Sequence, residues 1–92
     1  MKIDITEEHI KNGRRGNSHS CPVALAIKEQ VPGAKHVVVG REISINGVCY
    51  STPHIALLFV WNFDQRGPAG SQPCRFEFPY ENESSAAERE GE

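Results

Sequence analysis

The sequence predicts a small α+β domain, and three observations carry that prediction. "KIDIT" near the start and "CRFEF" near the end alternate apolar and polar residues, the period of a half-buried strand. Between them, "PVALAIKEQ" and "HIALLFVWNFDQR" are apolar-rich segments punctuated by proline and glycine, as helices are. "KHVVVGREISINGVCY" reads as strands joined by tight turns. The expected order is β-α-α-β-β-α-β, a mainly antiparallel sheet with helices on one face.

Each element has its own justification. Ile3 and Ile5 share a face of the first strand, and Thr6 ahead of Glu7 and Glu8 makes a helix N-cap with acids in the first turn. That helix should last one or two turns, because "KNGRRGN" is rich in glycine and asparagine. The second helix opens at Pro22, sets Val23 and Ile27 on one face, and stops before Val31-Pro32-Gly33. Val37 to Val39 is continuously apolar and is expected as a central strand, followed by a turn at Gly40-Arg41. Ile43 and Ile45 alternate, and Asn46-Gly47 signals a tight turn into a short strand at Val48 to Tyr50.

"STPHIALLFVWNFDQRG" carries a cap-type Ser or Thr, Pro53 in the first turn and Gly67 as terminator. Its seven consecutive apolar residues, Ile55 to Trp61, also suit a buried strand; length and the flanking proline and glycine favour a helix over 54–66. Phe76 and Phe78 then share a face of the closing strand.

Composition bounds the function. Ninety-two residues with 38% apolar and 24% charged content form one domain with a modest core, too small to enclose a large cofactor, and no cofactor is expected. No stretch approaches the roughly 18 apolar residues of a membrane span, and the charged, alternating "MKIDITEEHI" does not read as a secretory signal. Three widely spaced cysteines, Cys21, Cys49 and Cys74, suggest a reduced, cytosolic protein. The net charge of −2 is uneven: "ENESSAAEREGE" at 81–92 holds five glutamates against one arginine. That acidic, apolar-poor segment is expected to be a disordered tail behind a folded domain at 1–80.

Three candidate sites follow. "GNSHSCPVAL" places His19 two residues before Cys21 at a helix start, where the helix dipole favours a thiolate. A nucleophilic Cys21 would need a partner to orient the histidine, and none is placed to do so; a cap followed by a small buried side chain accounts for the pattern without chemistry. For zinc, only His19-x-Cys21 has close ligand spacing, and no second pair among His9, His36, His54, Cys49 or Cys74 answers it, so no metal is expected. A basic set, Lys11, Arg14, Arg15, Lys35 and Arg41, offers a weak nucleic-acid contact, although charged loops are more often simply solvated. On the helix at 54–66, Ile55, Phe59 and Phe63 share one face while Leu57 and Trp61 point almost the other way. Either Val23 and Ile27 of the neighbouring helix cover them, or they form an exposed patch for a partner or a dimer.

"ITEEHIKNG", "SCPVALAIKE" and "FDQRGPAG…CRFEF" together resemble a group of short bacteriophage and prophage proteins built from a strand, an "EHI…G" segment, a "CPVALA" helix, a hairpin and an F-x-F ending. The resemblance covers most of residues 3–79 and brings no catalytic residues. It implies a phage accessory protein in the bacterial cytoplasm. Such a protein is expected to bind a host bacterial protein without catalysis, for instance to inhibit a defence or regulatory system, and to exist as a monomer or homodimer.

Overall fold

A computed structural model of the chain describes residues 1–78; the acidic segment at 81–92 and the end of the 1–80 domain lie outside the described residues. Among these, the elements run β1 (Lys2–Ile5), α1 (Glu7–Asn12), α2 (Pro22–Gln30), β2 (Val37–Val39), β3 (Glu42–Ile45), β4 (Val48–Ser51), α3 (His54–Arg66), a 3₁₀ turn (Pro68–Gly70) and β5 (Cys74–Glu77). The α+β class holds, with every strand pair antiparallel.

The strands divide between two sheets. The terminal strands β1 and β5 pair with Ile3 opposite Phe76, and the middle three form a meander in the order β2-β3-β4. The apolar run at Val37–Val39 is therefore an edge strand, and β3 takes the centre. Two short turns in succession, at Gly40-Arg41 and Asn46-Gly47, leave the middle strand nowhere else to lie. Asn46 and Gly47 both take positive φ, 51° and 89°, the conformation this turn requires and the reason Asn-Gly occupies it.

Local chemistry sets the helix starts. Thr6 caps α1: its hydroxyl accepts from the His9 amide at 3.4 Å, while the His9 ring accepts from the Thr6 amide at 2.9 Å. His9 thus does the work of the usual third-position Glu or Gln in a capping box. At α2, Cys21 holds the N-cap position without a side-chain capping bond, and Pro22 supplies the preset backbone. At α3 the N-cap is Pro53, just ahead of the first turn, and no Ser or Thr caps it. Thr52 is buried and donates to the Gly40 carbonyl at 2.7 Å, tying the start of α3 to the β2–β3 turn.

One core joins the two sheets. α2 touches both β1 and β2, and buries Val23, Ala24, Ala26 and Ile27 completely. Ile3, Ile5, Phe76 and Phe78 meet it from one sheet, Val37, Val39, Ile43 and Ile45 from the other, and Phe59 and Phe63 from α3. Gln30 at the end of α2 also closes the free edge of β1, because its carboxamide accepts from the Asp4 amide at 2.8 Å and donates to the Asp4 carbonyl at 2.7 Å. That two-way bond satisfies backbone groups that a further strand would otherwise satisfy.

Candidate interaction surface

The "GNSHSCPVAL" stretch is built as a junction. Arg15 reaches back to the last turn of α3: its Nε and Nη2 donate to the Asp64 carbonyl at 3.1 and 2.8 Å, and Nη2 also to the Gln65 carbonyl at 2.9 Å. These are among the carbonyls that a helix end leaves without intrahelical partners. The Gly16 amide donates to the Asp64 carboxylate at 2.9 Å, and the Val39 amide donates to the Ser18 carbonyl at 2.9 Å. Asn17 folds the loop on itself by accepting from the His19 and Ser20 amides at 2.9 and 3.1 Å. Lys28 donates to the His19 carbonyl at 3.0 Å. Nine residues of loop thereby fasten α2, β2 and α3 together.

Inside this junction Cys21 is 2% exposed. It lines a small cleft of about 160 Å³ with Ser18, Val39, Val60 and Asp64. Burial pushes its thiol above the ordinary value, the Asp64 charge pushes further, and the Ala24 and Val23 amides pull back only in part. A helix start that also buries its cysteine therefore keeps the proton on sulfur, the opposite of what a nucleophile needs. His19 is exposed.

The other ligand candidates have structural employment or stand apart. His9 is 6% exposed, and since the Thr6 amide can only donate, the ring proton sits on Nε2 and is donated to Glu29 Oε1 at 3.0 Å. Cys49 is exposed on β4 and Cys74 half-buried on β5. Among the described residues, no three of His, Cys, Asp and Glu gather into a ligand set.

The basic set is distributed over α1, the loop after it and the two ends of β2. Arg15 has its guanidinium committed to α3. Lys35 and Arg41 are exposed, one before and one after the three-residue strand β2. Lys11 on α1 and Arg14 on the loop remain exposed.

α3 presents an apolar surface. Ala56 and Phe63 are fully buried and Phe59 nearly so, which fixes the inward side of the helix. Leu57 and Trp61 lie on the opposite side and are exposed by 37% and 63%: the neighbouring helix does not cover them. Two more apolar residues join them. Leu58 is 54% exposed, and Ile55, expected on the buried face with Phe59, is 53% exposed. Ile55 sits in the first turn at the margin of the inward arc, which centres on Ala56 and Phe63. Steps of three and four residues connect Ile55 to Leu58, Leu58 to Trp61 and Leu57 to Trp61, so the four form one continuous stripe. At about 100° per residue Ile55 stands about 80° from Phe63, at the edge of the face the sequence assigned to it, so a modest rotation of the helix carries it out of the core.

The charged residues of α3 stand off this stripe. Asp64 turns toward the junction loop, where it binds Gly16, and Arg66 closes the last turn. From His54 to Phe63 the helix carries no Asp, Glu, Lys or Arg, and Asp64, one turn beyond Trp61, is the charged residue nearest the stripe. Comparison with protein-family models, with curated proteins and with solved structures finds no match.

Proposed function

We propose that this chain is a phage-type accessory protein of the bacterial cytoplasm that acts without catalysis, by binding a host protein through the outward face of α3. The observation that supports this reading is the continuous stripe of Ile55, Leu57, Leu58 and Trp61: among the described residues the other exposed large apolar side chains, Met1 and Val48, stand singly, just before β1 and on β4, whereas these four share one helix face. A charge-depleted apolar centre with an aromatic anchor has the composition of an interface core, and tryptophan is the commonest hot-spot residue. Inhibition of a host defence or regulatory system is the activity this reading assigns to such a partner-binding face. No helix among the described residues is long and apolar enough to cross a membrane.

The experiment is a pull-down from host bacterial lysate with the tagged protein, read by mass spectrometry at low and moderate salt. A host protein retained at both salts and lost by Trp61→Ala is the expected result, with affinity falling on the order of 30-fold for a hot-spot side chain. If Trp61→Ala leaves every captured contact unchanged, the face is not the binding site. Nucleic acid captured at low salt and released as salt rises would instead favour Lys11 and Arg14.

A further inference from the structure

We infer that a second copy of the chain covers the outward face of α3 before any host partner does, so that a weak homodimer guards the binding surface. This rests on the reading of α3 as an interface and adds its regulation.

Three features select a second copy. The stripe is centred on Leu58, so two α3 helices crossing antiparallel at Leu58 set Trp61 of one copy over Ile55 of the other, and the same patch serves both sides of a two-fold axis. Residues 54–63 carry no Asp, Glu, Lys or Arg, and the antiparallel crossing sets Asp64 opposite position 52 of the other copy, so two identical surfaces meet without like-charge opposition. Its area also fits. Taking about 180 Å² for a fully exposed Leu or Ile and about 250 Å² for Trp, the four fractional exposures give roughly 400 Å² per copy. Two copies and a rim of His54 and Gln65 then bury about 1,000 Å², the low end of specific interfaces, where contacts form and exchange readily. Such a dimer keeps the stripe from water at high concentration yet releases it to a partner that binds more tightly.

The chain reports on its own association, because Trp61 is its single tryptophan. The test is sedimentation of the full chain from about 1 to 500 µM, with Trp61 emission recorded on the same samples and a dissociation constant expected in the micromolar range. The mass should rise from 10.2 kDa toward twice that value, and the emission should shift blue in step. Leu58→Asp, at an exposed position, should stay at the single-chain mass throughout with an unchanged far-ultraviolet spectrum. A single-chain mass at every concentration overturns the inference, as does a dimer that Leu58→Asp leaves intact. A blue emission at the single-chain mass would mean that the chain's own residues cover α3, and overturns it too. A host protein captured through Trp61 by a chain that never dimerises would remove this inference alone. A dimer that captures no host protein would remove only the host-binding reading.

Discussion

Replacing Arg15 by alanine separates the structural role of the basic loop from a nucleic-acid role. The substitution removes three hydrogen bonds from a guanidinium to the last-turn carbonyls of α3. Charge-assisted bonds of this kind are worth about 1.5–3 kcal/mol each when buried, which would sum to well over 4 kcal/mol. Arg15 is exposed, however, so water replaces its donors at the two carbonyls, and releasing the side chain returns up to about 2 kcal/mol of rotamer entropy. A cation at a helix C-terminus contributes about 0.3–1 kcal/mol in general, and the fork that fastens the loop to α3 adds to it. The expected loss is therefore about 1–2 kcal/mol.

In a domain of this size each kcal/mol moves the thermal midpoint by about 4–8 °C, so Arg15→Ala should melt roughly 5–15 °C lower. Arg15→Lys keeps the charge but cannot bridge two carbonyls with one planar group, and should recover only part of the loss. Thermal and urea unfolding followed by circular dichroism decide the matter. A midpoint within about 2 °C of the wild type, accompanied by lost nucleic-acid binding, would refute the junction role and return Arg15 to the basic surface.

Two further perturbations test the same region. Gly13 has an ordinary extended backbone, φ −72° and ψ 156°, so alanine would be conformationally acceptable and should stabilise by about 0.4–1 kcal/mol through the unfolded chain. An added Cβ would stand 2.6 Å from Pro22 Cγ and Cδ, a rigid ring that cannot step aside, and overpacking of that kind costs about 1–3 kcal/mol. Gly13→Ala is accordingly expected to lower the urea midpoint, and a raised midpoint would show that the α1–α2 junction yields freely. For Cys21, whose thiol is raised above the ordinary 9.0 chiefly by burial, the unfolded chain releases its proton first as pH climbs. Stability should then fall as pH rises through about 9 toward the raised value, and Cys21→Ala should flatten that slope. Against a thiol reagent at neutral pH, Cys49 should react first and Cys21 only as the protein unfolds. Equal rates at the two sulfurs would revive the nucleophile reading.

The helices and strands were legible in the sequence, because each is decided within a few residues, whereas the 3₁₀ turn at Pro68–Gly70 was not. Thr6 caps α1, Pro22 opens α2, Asn46-Gly47 takes the two positive φ values of a hairpin turn, and Gly67 ends α3 at φ 76°. Alternation placed Ile3, Ile5, Ile43 and Ile45 in the core for the same reason: a strand's period of two is visible in four residues. Long-range closure was not legible at that scale. The bond from Arg15 to the end of α3 spans 49 residues, and nothing local distinguishes that arginine from Arg14 beside it. Likewise the division of strands into two sheets depends on the N-terminal strand meeting the C-terminal one, with Ile3 against Phe76.

The candidate site lay between these limits. Leu57 and Trp61 were legible as a pair opposite the buried face, whereas Leu58 and Ile55 were not. Seven consecutive apolar residues fit a helix in any rotation about its axis. Only the packing of Ala56, Phe59 and Phe63 into the core chose one rotation, and that choice left Ile55, Leu57, Leu58 and Trp61 facing water with Val60 packed against the core's edge.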